Sequence, residues 1–504
     1  MPVVIRFMGD RNPKPEPQGG TPKVKTGKKH TPKNRINQGE SKGAGKPAKI
    51  KPDTAYELTD GRMTAYGGLF GLVKFLDLIG FREVFLKYYS SPNRKTELGC
   101  YRMVLGFLIL LFVGFARVGH FEYLRRDPMV CGMLEVEILP VVSTFWRYLS
   151  KLWLPQSQSL LKISAVLRAR VWQACRLGHT RISVNIDTTV STVYGQIEGS
   201  RKGHNPKHRG KKGLRPVLLF LEETREYLCG TQRAGKTMSD EEVAKLLQEM
   251  KQYLPAQIRH VLVRGDAEFI GAQTIQACRE CGYDYILGNK SATPYFIQRR
   301  WYRHGAHEYN ESHHQPMGWP EDCRFVAMRI REEDRGTRQL KLYEEDYLYR
   351  IFATSLQGKP HTVIARYDGR ASVENAIKEA QQEGLLAIPS KRFWSNHAFF
   401  QLVMLAYNLW RWMKLLAVAQ GNEGKPIKVI AWQGVDHTIR IARLKMLFLP
   451  AKITTPQHRT TISYSNHDAR AAELVDFLKY LDQRRRKKIP WQEDASLSRY
   501  KKAS

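Results

Sequence analysis

Apolar residues recur at three- and four-residue steps from about Asp53 to Thr180. Leu69, Leu72, Val73, Phe75 and Leu76 mark one stripe, the run Val104–Val113 a second, and Leu160, Leu161, Ile163, Val166, Leu167 and Val171 a third. Such spacing gathers apolar side chains on one face of a 3.6-residue helix, so this part of the chain is expected to be helical. After Thr180 the pattern shortens. Ile182–Val190, Val193–Gln196, Pro216–Leu221, Tyr227–Gln232, Val261–Arg264 and Tyr283–Leu287 read as strands, with helices at about Asp240–Tyr253 and Ala272–Cys281. Antiparallel strands come first, and crossover helices then flank the strand that ends at Asp266, as in a mixed sheet.

Residues 291–345 break that order with Trp, His, Gly and Pro, then alternate in Arg324-Phe325-Val326-Ala327-Met328-Arg329-Ile330, which reads as a β-rich insertion. Core texture resumes with Tyr347–Thr354, a helix over Ser372–Gln382 and the strongly apolar helix His397–Leu416. Leu444–Ile453 and Thr460–Tyr464 are expected to pair as a hairpin. A helix over Ala469–Tyr480 then leads into the basic run Arg484–Lys488, expected as a solvated tail. Residues 1–52 carry 13 Lys and Arg against Asp10, Glu16 and Glu40, with too little apolar area to offset chain entropy. A disordered basic arm is expected there. The fold class is therefore read as α/β: a ribonuclease-H-like mixed sheet core in two parts, 181–290 and 346–420, interrupted by the β-rich insertion 291–345. A helical DNA-binding or dimerisation domain, 53–180, precedes it, and a hairpin, helix and basic tail, 421–504, follow.

Charge changes the picture from fold to partner. Lys and Arg number 81 against 48 Asp and Glu, a net +33 over 504 residues, and a field of that sign favours polyanions through counterion release. Nucleic acid is the natural partner. The apolar run Met103–Ala116 closes at Arg117, short of the roughly 20 residues that span a bilayer, and the N-terminus lacks a secretory apolar stretch. A cytoplasmic protein without a membrane partner is expected. The seven cysteines read as reduced thiols, Cys278 and Cys281 as residues of one helix face, and His304, His307, His313 and His314 as solvated loop histidines. Ser143–Leu149 opens with a good N-cap and mixes aromatics with a base, which suits either a helix presented to DNA or a packing helix.

Three carboxylates carry the candidate chemistry. Asp187 ends the run Ile182–Ile186, Asp266 ends Val261–Gly265, and Glu374 lies in the predicted helix. On that helix Glu374, Lys378 and Gln381 fall at i, i+4 and i+7, while Val373, Ile377 and Ala380 share an adjoining face. It can pack its apolar side and aim Glu374 at the strand ends. Magnesium takes oxygen ligands and keeps several waters, so three carboxylates suffice for two Mg²⁺, with Mn²⁺ as a stand-in. Two such ions about 3.5–4 Å apart cut and join phosphodiesters. Taken singly, each acid is an ordinary strand-end or surface carboxylate; Glu379 and Asp368 are the nearest rivals for the third position. The loop from Arg201 to Arg215 holds seven basic residues and no acid, which makes Lys202, Lys207, Arg209, Lys211, Lys212 and Arg215 candidates for gripping a DNA backbone near Asp187.

These residues sit in an ordered series: Asn185-Ile186-Asp187-Thr188-Thr189-Val190 with Val193-Tyr194-Gly195, Lys202–Gly210, Arg264-Gly265-Asp266-Ala267-Glu268-Phe269, and Tyr367-Asp368-Gly369-Arg370 followed by Glu374-Asn375. In this series the chain resembles bacterial insertion-sequence transposases of the DDE class, specifically the group numbered thirteen-eighty, distant relatives of piggyBac. The resemblance implies that Asp187, Asp266 and Glu374 are catalytic and hold the two metals. Tyr367 and Arg370 match the Y-x-x-R-x-x-x-E pattern leading to that Glu, with Arg370 on phosphate near the reacting end. Where relatives carry lysine seven residues after the Glu, this chain has Gln381, and Lys378 is the candidate substitute. In relatives with a β insertion an aromatic there stacks on a displaced base, for which Trp301 and Trp319 are the local candidates.

The function so implied is that of a DNA transposase that binds its inverted-repeat ends, cleaves there and joins the 3′-OH to target DNA. Double-stranded DNA is the partner, and a homodimer or larger synaptic complex, bacterial and nucleoid-associated, the working form. Two alternatives stand beside it: a nuclease of the same fold without strand transfer, and a catalytically impaired DNA-binding derivative suggested by Gln381.

Overall fold

The apolar stripes before Thr180 fold as helices because each has a buried side to cover. In this computed structural model the described residues are 50–59, 61–92, 96–203, 205, 208–289, 295–319, 322–331, 347–421, 437–487, 489 and 491. The basic arm expected over 1–52 lies outside them up to residue 49. Residues 1–57 and 58–504 are separate units, and all the elements named below belong to the second. After the short strand β1 (Met63–Thr64) come α1 (Leu69–Leu78), α2 (Phe81–Tyr88), α3 (Gly99–Val113), α4 (Phe121–Leu124), α5 (Pro128–Met133), α6 (Val142–Leu149) and α7 (Leu154–Cys175). Helix α3 buries every residue from Met103 to Val113, which explains a run apolar on all sides. It stops at Gly114, whose φ of 106° favours glycine. Helix α6 starts at Val142, so Ser143 is not its cap; the preceding residue, Val141, offers no side-chain acceptor. Its Phe145, Tyr148 and Leu149 are buried while Trp146 and Arg147 face out.

From Arg181 the chain builds β2 (Arg181–Thr188), β3 (Ser191–Thr192), β4 (Arg201–Lys202), β5 (Lys212–Leu214), β6 (Val217–Leu221), β7 (Tyr227–Thr231), α8 (Asp240–Met250), β8 (His260–Gly265), α9 (Ala272–Cys281) and β9 (Asp284–Asn289). A meander β2-β6-β7 is followed by two parallel strands, β8 reached through α8 and β9 through α9. The resulting order, β7-β6-β2-β8-β9, is the ribonuclease-H-like mixed sheet expected. The strand read at Val193–Gln196 is instead β3, two residues earlier; Gly195, at φ 89°, turns the chain there. Strands β3, β5 and β4 make a small separate sheet that carries the basic loop.

The segment read as an insertion supplies β10 (Tyr302–His304), β11 (His307–His314) and β12 (Cys323–Arg331), and β13 (Tyr347–Thr354) follows. These strands do not stand apart from the core. Strand β13 pairs antiparallel with β9, so the nine-stranded sheet runs on as β9-β13-β12-β11-β10. Seven consecutive buried residues in β12, Cys323 to Met328 and Arg329, need cover on both faces, and a sheet interior provides it. The four histidines therefore lie on β10 and β11 rather than in a loop, with His304 stacked on His361 at 4.0 Å.

The remainder is α10 (Pro360–Asp368), α11 (Ala371–Ala380), α12 (Phe393–Gly421), α13 (Ile439–Met446), β14 (Ala451–Thr454), β15 (Thr461–Tyr464) and α14 (Ala469–Arg486). Leu444–Ile453 is not one strand: Thr438 caps α13, which takes up Leu444 to Met446, and β14 begins at Ala451 before pairing with β15 and β1. Helix α14 runs past Tyr480 to Arg486, so Arg484 to Arg486 end a helix, and Arg485 reaches Asp77 at 2.6 Å. Helix α12 is long and apolar enough to cross a membrane, yet 89% of its most apolar window is buried against the rest of the protein. It is the central core helix.

Glu226, in the turn between β6 and β7, joins three layers. It accepts from Arg168 Nε at 3.0 Å, from Trp172 Nε1 at 2.7 Å, both on α7, and from Trp412 Nε1 on α12 at 2.7 Å. Arg168 also donates to the carbonyls of Tyr227, Leu228 and Tyr253, and both charges are fully buried. Removing one partner strands the other charge in a dry interior. Glu226→Leu is expected to lower unfolding stability by about 3–5 kcal/mol, read as a shifted urea midpoint; a loss under about 1 kcal/mol would show the network to be dispensable.

Candidate active site

Strands β2 and β8 are parallel neighbours with Asn185 opposite Arg264. Asp187 and Asp266 each lie two residues further on, side by side at the C-terminal ends of strands roughly 4.8 Å apart. Arg264 Nε donates to Asn185 Oδ1 at 2.8 Å, so those two side chains share a face, and the two-residue alternation returns Asp187 and Asp266 to it. Gly265 permits this closeness. A Cβ there would stand 2.9 Å from Ile186 and 3.1 Å from Phe269. Asp266 Oδ1 accepts the Glu268 N–H at 2.9 Å, and Asp187 Oδ1 accepts the Thr188 N–H at 2.7 Å. The second Asp187 oxygen meets Arg370 at 3.0 Å; Arg370 also donates to the Ile186 carbonyl and to the Tyr367 hydroxyl.

Burial pushes the Asp187 carboxyl up to about 6. Arg370 and the Thr188 N–H pull it back, and the charges of Asp266 and Glu374 push it up again. The third acid therefore acts on the first through space, from the exposed first turn of α11. Among the described residues, no three Asp, Glu, His or Cys side chains stand close enough together to hold one ion. Arg370 is the counter-charge that Asp187 has. The donor chemistry nonetheless fits a hard dication: three carboxylates, two of them adjacent, whose mutual repulsion positive charge would relieve.

The family model for "Transposase DDE domain group 1" matches residues 48–486. The chain belongs to this DDE transposase family. It is similar to a solved chain titled "Cryo-EM structure of piggyBac transposase synaptic complex with hairpin DNA (SNHP)", at 12% identity and a TM-score of 0.38 over 86% of this chain and 84% of that one. No curated protein matches it.

Within this transposase the rival acids are engaged elsewhere. Glu379 accepts the Ile439 N–H at the start of α13 and faces Arg411, and Asp368 pairs with Arg350 at 2.6 Å. Gln381 donates to Thr189 Oγ1 at 2.8 Å. Lys378 is exposed one turn beyond Glu374. Lys202, Arg209, Lys211 and Lys212 are exposed on and around β4 and β5; Lys207 lies outside the described residues.

Arg215 departs from expectation. It is buried, ion-paired to Glu268 and bonded to Thr188 Oγ1 at 3.0 Å, because the acid two residues beyond Asp266 needs a counter-charge inside. Neither tryptophan is an open stacking platform. The Arg329 guanidinium lies 4.1 Å over Trp301, which also meets Tyr349 edge-on, and Trp319 packs against Phe325. The exposed aromatic beside the basic loop is Tyr194, 70% exposed and edge-on to His208. Tyr194 and Glu268 lie inside motifs whose expected roles fall on other residues. Their signal was adjacency to Asp187 and Asp266.

The raised Asp187 carboxyl has a stability consequence. Unfolded, the group titrates near 3.9; folded, near 6, so between those values the native state binds more protons and stability falls as pH rises. Above about 6 the penalty is complete. Asp187→Asn is thus expected to exceed the unmodified protein by about 2–3 kcal/mol at pH 8 in chelator, with the advantage gone near pH 4. Urea unfolding at both values checks this, and equal stability at pH 8 contradicts it.

Proposed function

We propose that this protein is an active DNA transposase that binds the inverted-repeat ends of its insertion sequence, hydrolyses phosphodiesters there and joins the freed 3′-OH to target DNA. The observation that carries the reading is the side-by-side placement of Asp187 and Asp266 at the ends of parallel strands, in a chain matched by the DDE family over residues 48–486. Asp187, Asp266 and Glu374 would hold two Mg²⁺, which supply activation of the attacking oxygen and stabilisation of the leaving one.

The chain's own cations do the rest of the positioning. Arg370, now paired with Asp187, offers a planar fork of donors matched to a phosphate, and Lys378 adds charge one turn along from Glu374. Lys202, Arg209, Lys211 and Lys212, with Lys207 from the sequence, would neutralise backbone phosphates leading into the site. The attacking group is water for cleavage and the new 3′-hydroxyl for joining. Two paired ends call for at least two copies of the chain. The working place is the bacterial cytoplasm, at the nucleoid. The helical residues 53–180 would serve end binding or pairing, and the charge of residues 1–52 would add non-specific DNA affinity.

Purified protein is tested on a plasmid carrying the flanks of its own reading frame. Asp187→Ala, Asp266→Ala and Glu374→Ala are each expected to abolish Mg²⁺-dependent nicking while end affinity, by fluorescence anisotropy, stays within about threefold; nicking retained by one variant removes that residue from the site. Replacing Lys202, Arg209, Lys211 and Lys212 together by Ala is expected to flatten the dependence of log affinity on log salt by about 1 per residue. An unchanged slope takes that loop off the DNA.

A further inference from the structure

Gln381 stands where the resemblance leads one to look for a lysine. The structure engages its amide otherwise. Nε2 donates to Thr189 Oγ1 at 2.8 Å, and Thr189 is the first residue after β2, the strand that carries Asp187. The acceptor is well fixed: Thr189 is only 9% exposed, and its own N–H is held by the Pro216 carbonyl at 3.1 Å.

At the other end of the bond, Gln381 is the C-cap of α11, seven residues after Glu374 and in line with it along the helix. The chain then kinks over Gln381–Leu385, where Gly384 leaves helical geometry at φ 108°, and within the kink Glu383 is bonded to Arg443 at 2.9 Å. An uncharged amide suits this half-buried place. An ammonium there would give up water for one neutral hydroxyl.

We infer that Gln381 is a positioning residue: its hydrogen bond to Thr189 ties the far end of the Glu374 helix to the end of the Asp187 strand and so sets the separation of these two acids. The position is not an emptied phosphate contact. This inference rests on the proposed nicking chemistry, and small displacements of a reacting group are costly there.

The test uses the full-length chain. Gln381→Met, which keeps volume but loses the donor, and Thr189→Val, which keeps shape but loses the acceptor, are each expected to slow nicking about tenfold at unchanged end affinity. The double variant should be no slower than either single one, and Thr189→Ser should recover most of the rate lost in Thr189→Val. Gln381→Lys should not exceed the unmodified rate. Hydrogen exchange should quicken together at residues 186–190 and 378–385 in both single variants, a readout independent of cleavage. Additive losses, unchanged rates, or a Gln381→Lys protein that binds ends more tightly and cuts faster would overturn the inference. A parallel assay of the unmodified chain keeps the cases apart: if it fails to nick at all, the functional reading falls and the positioning role with it, whereas nicking that the variants leave intact sinks the positioning role alone.

Discussion

One buried carboxylate organises the molecule. Glu226 takes three N–H donors from two helices that are remote in sequence, and its partner Arg168 donates to the Tyr227 and Leu228 carbonyls at the start of β7 and to the Tyr253 carbonyl beyond α8. A fully desolvated charge tolerates only near-complete hydrogen bonding, so α7, α12 and the central sheet have one mutual arrangement in which it is satisfied. Arg443 repeats the device, donating to the Phe112 and Leu111 carbonyls at the end of α3 and to Glu383 beyond α11. Between these two anchors the sheet that carries Asp187 and the helix that carries Glu374 are held against a common apolar centre.

The site itself is under electrostatic tension that the fold sustains. Asp187 is buried, beside a second acid and within the field of a third, and its local relief is Arg370. On the function proposed above, the same arginine would also hold a phosphate diester, so counter-charge for Asp187 and grip on the substrate would compete for one guanidinium. Glu268 repeats the pattern a step away, with Arg215 and Thr188 as its partners.

Much of the core was legible in the chain because its strands and helices bury continuous apolar sets: β13 and α9 fall where periodicity put them, and β2, β6, β7 and β8 within two residues. Asp187 and Asp266 were legible for the same reason, each ending an apolar run. What failed was what depends on partners. Arg215 looked like one more loop cation until the position of Glu268 was known, Trp301 looked free until Arg329 covered it, and Leu444–Ile453 looked extended because α13 contributes only its last residues to that window. The continuation of the sheet from β9 into β13 and β12 was likewise hidden, since pairing between strands separated by a long connection leaves no local mark. The Gln381 bond was hidden for the same reason: a side chain's hydrogen-bond partner is a property of the fold, not of its neighbours in sequence.

The placement of α12 bears on how this protein is made. Trp410 donates to the Phe112 carbonyl and Asn408 to that of Tyr227, so cover for α3 and β7 is translated only after most of the chain has left the ribosome. Until then a large apolar surface lacks its cover, and such surface makes a partly folded chain prone to aggregate. A chain broken off before residue 393 should therefore leave that surface uncovered and be cleared by proteolysis rather than persist as a stable fragment.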